Sequence, residues 1–283
     1  MEFFRDPKIK FVGAMKFAFT LSACLVIISA VLMLIHGGPR LSIDFTGGSV
    51  LQVKVDPAPQ VQDVRSALES KGYEGVQVTE FGSADEFLIT FPTHNTESGT
   101  GDEAQLLLND LRASLSGSEI ELRREESVGP KIGGELRTAA ANSIVVALGL
   151  IVLYITFRFV FRYGVAAIMA LVHDVTLTLG VFSLMNFEIS LSIIAAFLTI
   201  IGYSLNDTIV VFDRIRENMK MRRKESYRDV INRSINECLS RTMLTSLTTF
   251  FVAMTLYVVG GPVIHDFAFA LTFGVLVGTY SSI

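Results

Sequence analysis

The sequence predicts a multi-span α-helical membrane protein with six transmembrane helices and one α+β domain outside the membrane. Half of its 283 residues are hydrophobic, and the apolar windows recur at about the 20-residue length that a helix needs to cross a bilayer. These windows are residues 17–35, 140–157, 163–185, 190–212, 243–260 and 264–283. We therefore divide the chain into the N-terminus with the first span (1–36), an extracytoplasmic domain (37–138) and a bundle of five spans (139–283).

The positions of the basic residues predict how the chain is oriented. Residues 1–16 carry four Lys or Arg, the turn at 158–162 carries two, and the segment 213–241 carries nine. The turns at 186–189 and 260–266 carry none. Because basic short loops stay in the cytoplasm, both termini are expected inside and residues 37–138 outside. The sixth span has no basic flank after it, which predicts that the natural chain continues beyond Ile283.

The domain at 37–138 has the pattern of a small α+β fold. Strands are predicted at 49–55, 76–81, 87–91 and 120–128, helices at 59–71 and 104–115, and a polar loop at 94–101. This β-α-β-β-α-β order is that of a ferredoxin-like domain. With 17 acidic and 9 basic residues the domain is acidic, which makes nucleic acid an unfavourable partner.

The basic segment 213–241 is predicted to be helical. Its apolar residues recur at helical spacing, which indicates an amphipathic helix on the cytoplasmic surface of the membrane. The cluster Arg222-Arg223-Lys224 within it has two readings: contact with anionic membrane lipid, or a charge cluster that only sets the topology.

Asp207 lies inside the fourth apolar window, where a carboxylate is costly and usually marks an ion path, a relay or a pairing site. Arg241 opens the fifth window at the same side of the membrane, and its long side chain can reach inward. We therefore expect an Asp207–Arg241 pair, which would serve either as a proton switch or as a static link between two spans. Asn206 is expected to support this site by bonding a neighbouring helix.

A second ionisable group lies within the third window. His173 can change its charge near physiological pH, while Asp174 is the stronger candidate for ion transfer because a buried carboxylate is harder to explain structurally. Adjacent helix residues point about 100° apart, so the two need not share a face. A proton relay and a structural hydrogen bond both remain open for this pair.

The fifth window carries a stripe of hydroxyl side chains. This stripe either packs against neighbouring helices or lines a wet cavity. Its residues are Thr242, Thr245, Ser246, Thr248 and Thr249.

Several motifs occur in one order along nearly the whole chain. They are Asp44-Phe45-Thr46-Gly47-Gly48 after the first span, Val128-Gly129-Pro130 before the second, Ala170-Leu171-Val172-His173-Asp174-Val175 in the third, 201–211 (IGYSLNDTIVV) in the fourth, Asp213-Arg214-Ile215-Arg216-Glu217-Asn218 after it, Arg241-Thr242 at the start of the fifth and Gly260-Gly261-Pro262 after it. Through these residues the chain resembles the SecF family of the bacterial protein-export machinery, within the resistance-nodulation-division superfamily.

The resemblance implies a function in late polypeptide translocation, driven by the proton motive force, with Na⁺ as the alternative coupling ion. Its partners would be SecD, the SecYEG channel, YajC, the translocating unfolded polypeptide and the lipids of the bacterial cytoplasmic membrane. The positions that match Asp207 and Arg241 are assigned to proton passage in that family. Asp44, Phe45, Thr46, Gly47 and Gly48 would form the joint that couples the membrane helices to the outside domain, and the glycine pair also favours a tight turn.

Two other functions are compatible with the residues, a half-transporter of the same superfamily for a small molecule or lipid, and a purely scaffolding subunit. The single domain of about 100 residues leaves little room for the large substrate-binding region of a drug exporter. The sequence has no phosphate-binding loop, zinc motif or nucleophile elbow. We therefore expect neither an enzyme nor a metal or cofactor site.

Overall fold

The computed structural model describes residues 7–73, 75–92, 100–115, 117–158 and 161–283. Its contacts divide the chain into two compact units. Leu41–Ser143 form one unit, which we call the outer unit. The residues up to Arg40 and Ile144–Ile283 form the other, which we call the helical unit. Residues 94–99 of the predicted polar loop lie outside the described residues, and Thr100 already begins a helix.

The outer unit contains two longer helices and a four-stranded antiparallel sheet. Its elements are α2 (Ile43–Thr46), β2 (Gly48–Asp56), α3 (Val61–Ser70), β3 (Gln77–Phe81), β4 (Ser83–Phe91), α4 (Thr100–Ser114) and β5 (Glu119–Val128), after the short β1 (Arg40–Leu41) at its boundary. From β2 to β5 the order is the β-α-β-β-α-β series that the sequence predicts. The strands lie side by side as β3-β4-β2-β5.

One face of this sheet and the two helices form the core of the outer unit. Alternate residues of β2 point inward, so Leu51, Val53 and Val55 are fully buried, as the two-residue period of a strand requires. Val53 lies opposite Phe87 on β4. The helical residues that pack on this face are Val64, Leu68, Leu107 and Leu111.

The helical unit contains helices long and apolar enough to cross a membrane. Six such helices occur within the described residues: α1 (Phe11–Ile35), α5 (Pro130–Arg158), α6 (Phe161–Met185), α7 (Leu191–Met221), α8 (Tyr227–Val259) and α9 (Pro262–Ser282). This confirms a multi-span helical membrane protein. Helix α5 begins in the outer unit, and the two-residue strand β6 (Glu188–Ile189) precedes α7. Half of the apolar window of α7 is buried, so α7 is the most enclosed of the six.

The predicted surface helix at 213–241 is wrong. Helix α7 continues without a break to Met221, and α8 begins at Tyr227, where Ser226 caps it by accepting from the backbone N–H of Asp229. The segment therefore consists of the end of α7, the start of α8 and the turn between them. Its apolar stripe packs one helix on the other: Val211, Ile215, Ile235 and Cys238 form a buried cluster.

Candidate functional site

Small residues let α7 and α9 approach each other closely. A Cβ atom added at Gly274 of α9 would lie 2.4 Å from Cδ1 of Ile200 on α7, and one at Gly278 would lie 3.1 Å from Cβ of Ser204. These two glycines are four residues apart and so share one face of α9. Close packing on small residues is typical of helices in membranes. It brings polar side chains of α6, α7, α8 and α9 into contact.

Asp207 on α7 is buried, with 3% of its surface exposed. Its carboxylate has two hydroxyl contacts on α8. Ser246 Oγ lies 3.4 Å from Oδ2, and Thr245 Oγ1 lies 3.5 Å from Oδ1. Both distances are at the long end for hydrogen bonds from a hydroxyl. The buried charge is therefore only weakly compensated by its neighbours.

Ser246 connects Asp207 to the rest of the bundle. Its Oγ accepts hydrogen bonds from Tyr203 Oη at 3.0 Å and from Thr279 Oγ1 at 2.8 Å, while it donates to Asp207. A hydroxyl has one proton and two acceptor sites, so all of the hydrogen-bonding capacity of Ser246 is in use. One side chain of α8 thus links α7 and α9.

The expected ion pair between Asp207 and Arg241 is not formed. Within the described part of the chain Arg241 has no carboxylate within 4.0 Å, and its side chain is exposed. The two groups are close enough to interact through space. The residues that contact Asp207 lie one helical turn further along α8, because that turn faces α7 at the depth of Asp207.

The polar stripe of α8 divides into an inner and an outer part. Thr242 and Ser246 are buried, whereas Thr248 is exposed and bonds to the backbone of its own helix. Thr242 has 1% of its surface exposed, and its Oγ1 has no hydrogen-bond partner in the described part of the chain. Buried hydroxyls are nearly always paired, so Thr242 is an unsatisfied polar group one turn from the partners of Asp207.

Asp174 on α6 is the centre of a second polar cluster. It has 1% of its surface exposed, and its Oδ2 accepts from Ser204 Oγ on α7 at 2.6 Å and from Ser281 Oγ on α9 at 2.8 Å. Its Oδ1 lies 2.9 Å from Nδ1 of His173. The two adjacent residues thus contact each other although their Cα–Cβ bonds diverge. Unlike Asp207, Asp174 is held by three short contacts.

His173 has one ring nitrogen without a partner. Its Nε2 is buried and unpaired among the described residues, and its ring centroid lies 6.0 Å from that of Tyr280. An unpaired acceptor in an apolar site costs less than an unpaired N–H of a charged ring. Nδ1 is therefore the ring nitrogen that donates to Oδ1 of Asp174.

Asn206 is not brought into either cluster. Its side chain is exposed and lines a groove of about 390 Å³ with Gly202 and Tyr154 among its neighbours. It follows directly from helix geometry that Asn206 and Asp207 face different sides of α7. Among the described residues, Asn206 therefore does not support Asp207.

The segment Asp44–Gly48 forms a tight turn, as predicted. Phe45 is buried, and both glycines have positive φ angles, +74° at Gly47 and +142° at Gly48. A Cβ on Gly47 would lie 2.8 Å from Cα of Pro130, and one on Gly133 would lie 2.9 Å from the backbone N of Gly47. The turn thus packs against the first turn of α5 at a distance that only glycine allows.

A third ionisable group lies in the loop between α6 and α7. Glu188 is paired with Arg40 at 3.6 Å. Burial raises the pKa of Glu188, the Arg40 charge lowers it by a smaller amount, and the Asp266 carboxylate adds a further rise. This carboxyl is therefore a proton-accepting group at the end of the helical unit that is opposite to the basic turn 222–226.

Sequence reasoning singled out Thr245 and Ser246 of the α8 stripe, but it missed the other hydroxyls of the two clusters, Ser204, Thr279 and Ser281. Ser204 could have been identified from the sequence, because it precedes Asp207 by one turn of the same helix. Thr279 and Ser281 are polar residues near the end of an otherwise apolar span, which is also a visible signal. Their pairing with particular partners was not visible, because Ser281 is 107 residues from Asp174.

Comparison with known families matches two segments of the chain. Residues 109–283 match the family described as "Protein export membrane protein SecD/SecF, C-terminal". Residues 33–59 match the "SecD/SecF GG Motif" family. The second segment contains the turn Asp44–Gly48, and the first contains both carboxylate clusters.

Curated relatives are similar over almost the full length. The chain is 45% identical over 278 residues to the protein translocase subunit SecF of Desulfurispirillum indicum, covering 97% of this chain and 88% of the relative. It is 45% identical to SecF of Vibrio alginolyticus over 85% of this chain and 76% of that protein. The crystal structure of SecDF from Thermus thermophilus matches with a TM-score of 0.87 at 42% identity, over 98% of this chain and 37% of that one.

Proposed function

The chain belongs to the SecD/SecF family of protein export membrane proteins, and from that premise we propose that it is the SecF-type subunit of a bacterial Sec translocase. In this proposal it works with SecD and the SecYEG channel, with YajC as a further partner, in the cytoplasmic membrane. It uses inward proton flow, with Na⁺ as the alternative ion, to drive late translocation of an unfolded polypeptide. Its two termini and its basic turns, including 222–226, lie in the cytoplasm, and the outer unit lies outside the cytoplasmic membrane.

The observation that carries the proposal is the environment of Asp207. A carboxylate between membrane-spanning helices normally has a cation or several short hydrogen bonds to compensate its charge. Asp207 has two long hydroxyl contacts, and Arg241 stays outside ion-pair distance. Such a group is suited to exchange its charge rather than to hold helices together. The nearby Asp174 has three short contacts, so its charge is better compensated than that of Asp207.

Protonation of Asp207 would change the contacts of Ser246. In the described state Ser246 donates its only proton to Oδ2 of Asp207 and accepts from Tyr203 and Thr279. A proton placed on Oδ2 would face that donor, so Ser246 would have to turn and release an existing partner. Release of Thr279 would remove a hydrogen bond between α8 and α9. Binding of one proton to Asp207 would thereby change how the helices pack.

Arg241 and Thr242 would complete the proton path. The exposed Arg241 guanidinium, which interacts with Asp207 through space without forming an ion pair in the described state, would approach the carboxylate as the helices change their packing. The unsatisfied hydroxyl of Thr242 is a polar group between the two along α8. The Asp174–His173 pair would act as a second relay group. Asn206, an exposed amide on an apolar helix, would bond to a helix of the partner subunit.

The outer unit would move as the helices change their packing. We assign it a ferredoxin-like fold, which is supported by its element order and by the strand order β3-β4-β2-β5. The turn Asp44–Gly48 is the proposed joint. Its contact with the first turn of α5 links a motif of the outer unit to a helix that continues into the membrane region.

The test is polypeptide export into vesicles that contain the chain with SecD and SecYEG. Asp207→Asn should abolish the gain in export that an ion gradient produces, while leaving assembly with SecD intact. Asp213→Asn is the matched control, because it removes the same charge from a half-exposed position on the same helix, where Asp213 pairs with Arg158. The proton and sodium gradients are collapsed separately to identify the coupling ion.

Three results would decide against the proposal. Gradient-dependent export by Asp207→Asn at the level of the unchanged protein would remove Asp207 from ion coupling. Full function of a double variant, Asp207→Asn with Arg241→Gln, would leave only a scaffolding role. Loss of export by Asp213→Asn as well would show that any charge change in α7 is harmful and that the effect is structural.

A further inference from the structure

A cavity of about 900 Å³ opens where the N-terminal segment meets the beginning of α8. It is of the size that binds small organic ligands. The charged residues that line it are the cations Lys8, Lys10, Arg228 and Arg233 and the carboxylates Asp229 and Glu237. It lies at the basic end of the bundle, away from the two carboxylate clusters.

The two carboxylates of the cavity are already engaged. Glu237 accepts hydrogen bonds from Arg214 Nε at 2.6 Å and from Asn218 Nδ2 at 2.7 Å. Asp229 accepts from Ser226 Oγ at 2.6 Å, within the cap of α8. Arg214 thus neutralises Glu237, whereas Asp229 keeps its charge, and the four cations of the lining outnumber this one carboxylate.

Three of the four cations that line the cavity lack an ion-pair or hydrogen-bond partner among the described residues. Within the described ranges, the side chains of Lys8, Lys10 and Arg228 form no ion pair or hydrogen bond and are exposed to the cavity. Arg233 has a single long ion pair, 3.5 Å from Glu225. The lining thus presents an excess of positive charge from two separate parts of the chain, the N-terminal segment and α8.

The N-terminal segment is held in place by two asparagines of α8. Asn236 accepts from the backbone N–H of Ile9 at 2.9 Å and donates to its carbonyl at 2.9 Å, and Asn232 donates to the same carbonyl at 3.0 Å. Asn232 also accepts from the N–H of Val12 at 3.2 Å. These bonds fix the backbone between Lys8 and Lys10. The two lysines are therefore positioned before any ligand arrives.

An apolar surface leads away from the cavity along α1. Gly13 lines the cavity, and Phe17, one turn further along the same face, has 73% of its surface exposed. The following turns expose Leu21 and Leu25 at 41% and 38%. A ligand with a charged head and a long apolar tail matches this order of surfaces.

We propose that this cavity binds the phosphodiester headgroup of an anionic phospholipid, whose acyl chains lie along α1. Lys and Arg side chains bind phosphate by charge and by hydrogen bonds, and basic pockets between helices near the membrane surface are suited to lipid headgroups. The site is separate from the proposed ion path and does not depend on it. It differs from the exposed cluster at 222–224, which lines no part of the cavity.

The test measures lipid retention by the chain in nanodiscs of phosphatidylethanolamine with a minor share of phosphatidylglycerol. Native mass spectrometry counts the lipids that stay bound after the disc is removed. The triple variant Lys8→Gln, Lys10→Gln, Arg228→Gln should lower the apparent affinity for phosphatidylglycerol about tenfold or more. The control Lys220→Gln, Arg223→Gln, Lys224→Gln removes three charges near the same end of the bundle and should change the affinity by less than about twofold.

A second variant tests the positioning of the site. Asn232→Ala with Asn236→Ala keeps every cation but releases the N-terminal segment, and it should also reduce phosphatidylglycerol retention while phosphatidylethanolamine retention stays unchanged. Circular dichroism checks that each variant is folded. Three outcomes overturn the proposal: the triple variant retains phosphatidylglycerol as well as the unchanged chain, the cavity and control variants lose it equally, or millimolar inorganic phosphate alone displaces the lipid.

Discussion

The contact between the turn Asp44–Gly48 and α5 can be tested with two neighbouring glycines. Gly133 and Gly134 are consecutive in the first turns of α5, and an alanine at either removes the same flexible residue from a helix. Without other effects, each change to alanine would stabilise the protein by roughly 0.5–1 kcal/mol. The two sites differ in their surroundings, because Gly133 is buried and Gly134 is exposed.

The structure predicts opposite results for the two alanines. A Cβ at Gly133 would lie 2.9 Å from the backbone N of Gly47 and 3.4 Å from the carbonyl of Phe45, while a Cβ at Gly134 has nothing within 4 Å. Because the neighbours are backbone atoms, they cannot rotate away. Overpacking of this kind costs roughly 1–3 kcal/mol. Gly133→Ala should therefore be destabilised relative to Gly134→Ala by about that amount.

Thermal unfolding of both variants in the same detergent gives the comparison, followed by the export assay with SecD. We expect a lower melting temperature for Gly133→Ala only, together with weaker export. Equal melting temperatures for the two variants would refute the close contact between the turn and α5. Normal export by a destabilised Gly133→Ala would refute its role as a joint.

Three further changes test other parts of the molecule. Gly274→Ala places a Cβ 2.4 Å from Cδ1 of Ile200, so it should lower the free energy of unfolding by roughly 1–3 kcal/mol, as measured by thermal unfolding. Gly202→Ala is the control, because its Cβ has nothing within 4 Å and should not lower that free energy. Burial raises the pKa of Glu188, so its contribution to stability is present below the ordinary carboxyl pKa of 4.5 and is lost as the pH rises through the raised pKa. The melting temperature of Glu188→Gln should therefore depend less on pH in that range. Asn218→Ala removes two hydrogen bonds from a side chain with 1% exposure and should lower the unfolding free energy by about 1–3 kcal/mol.

The local features of the fold were predictable because they depend on neighbouring residues. The length of an apolar run decides whether a helix can cross a bilayer, so the six spans were visible. The alternation in β2 and the order of elements around it followed from the two-residue and 3.6-residue periods. The turn at Gly47 and Gly48 was visible because two adjacent glycines allow φ angles that other residues avoid.

The segment 213–241 shows where periodicity stops being informative. An apolar stripe along a helix indicates that one face is covered, but a membrane surface and another helix can both cover it. The structure has α7 and α8 covering each other through Val211, Ile215 and Ile235. The stripe was correctly identified, and the partner assigned to it was wrong.

The sequence by itself determined that Asp207 and Asp174 lie within membrane-spanning helices, since their flanking residues are apolar on both sides. Only the tertiary structure decided what they contact. Arg241 was the cation that the sequence placed at the same side of the membrane on the next span, yet the rotation and axial offset of α8 place Thr245 and Ser246 against Asp207 instead. Those two quantities are set by the packing of α8 against α7, as in the buried cluster of Ile215, Ile235 and Cys238. Helix packing depends on side chains far apart in the chain, so no local pattern contains it.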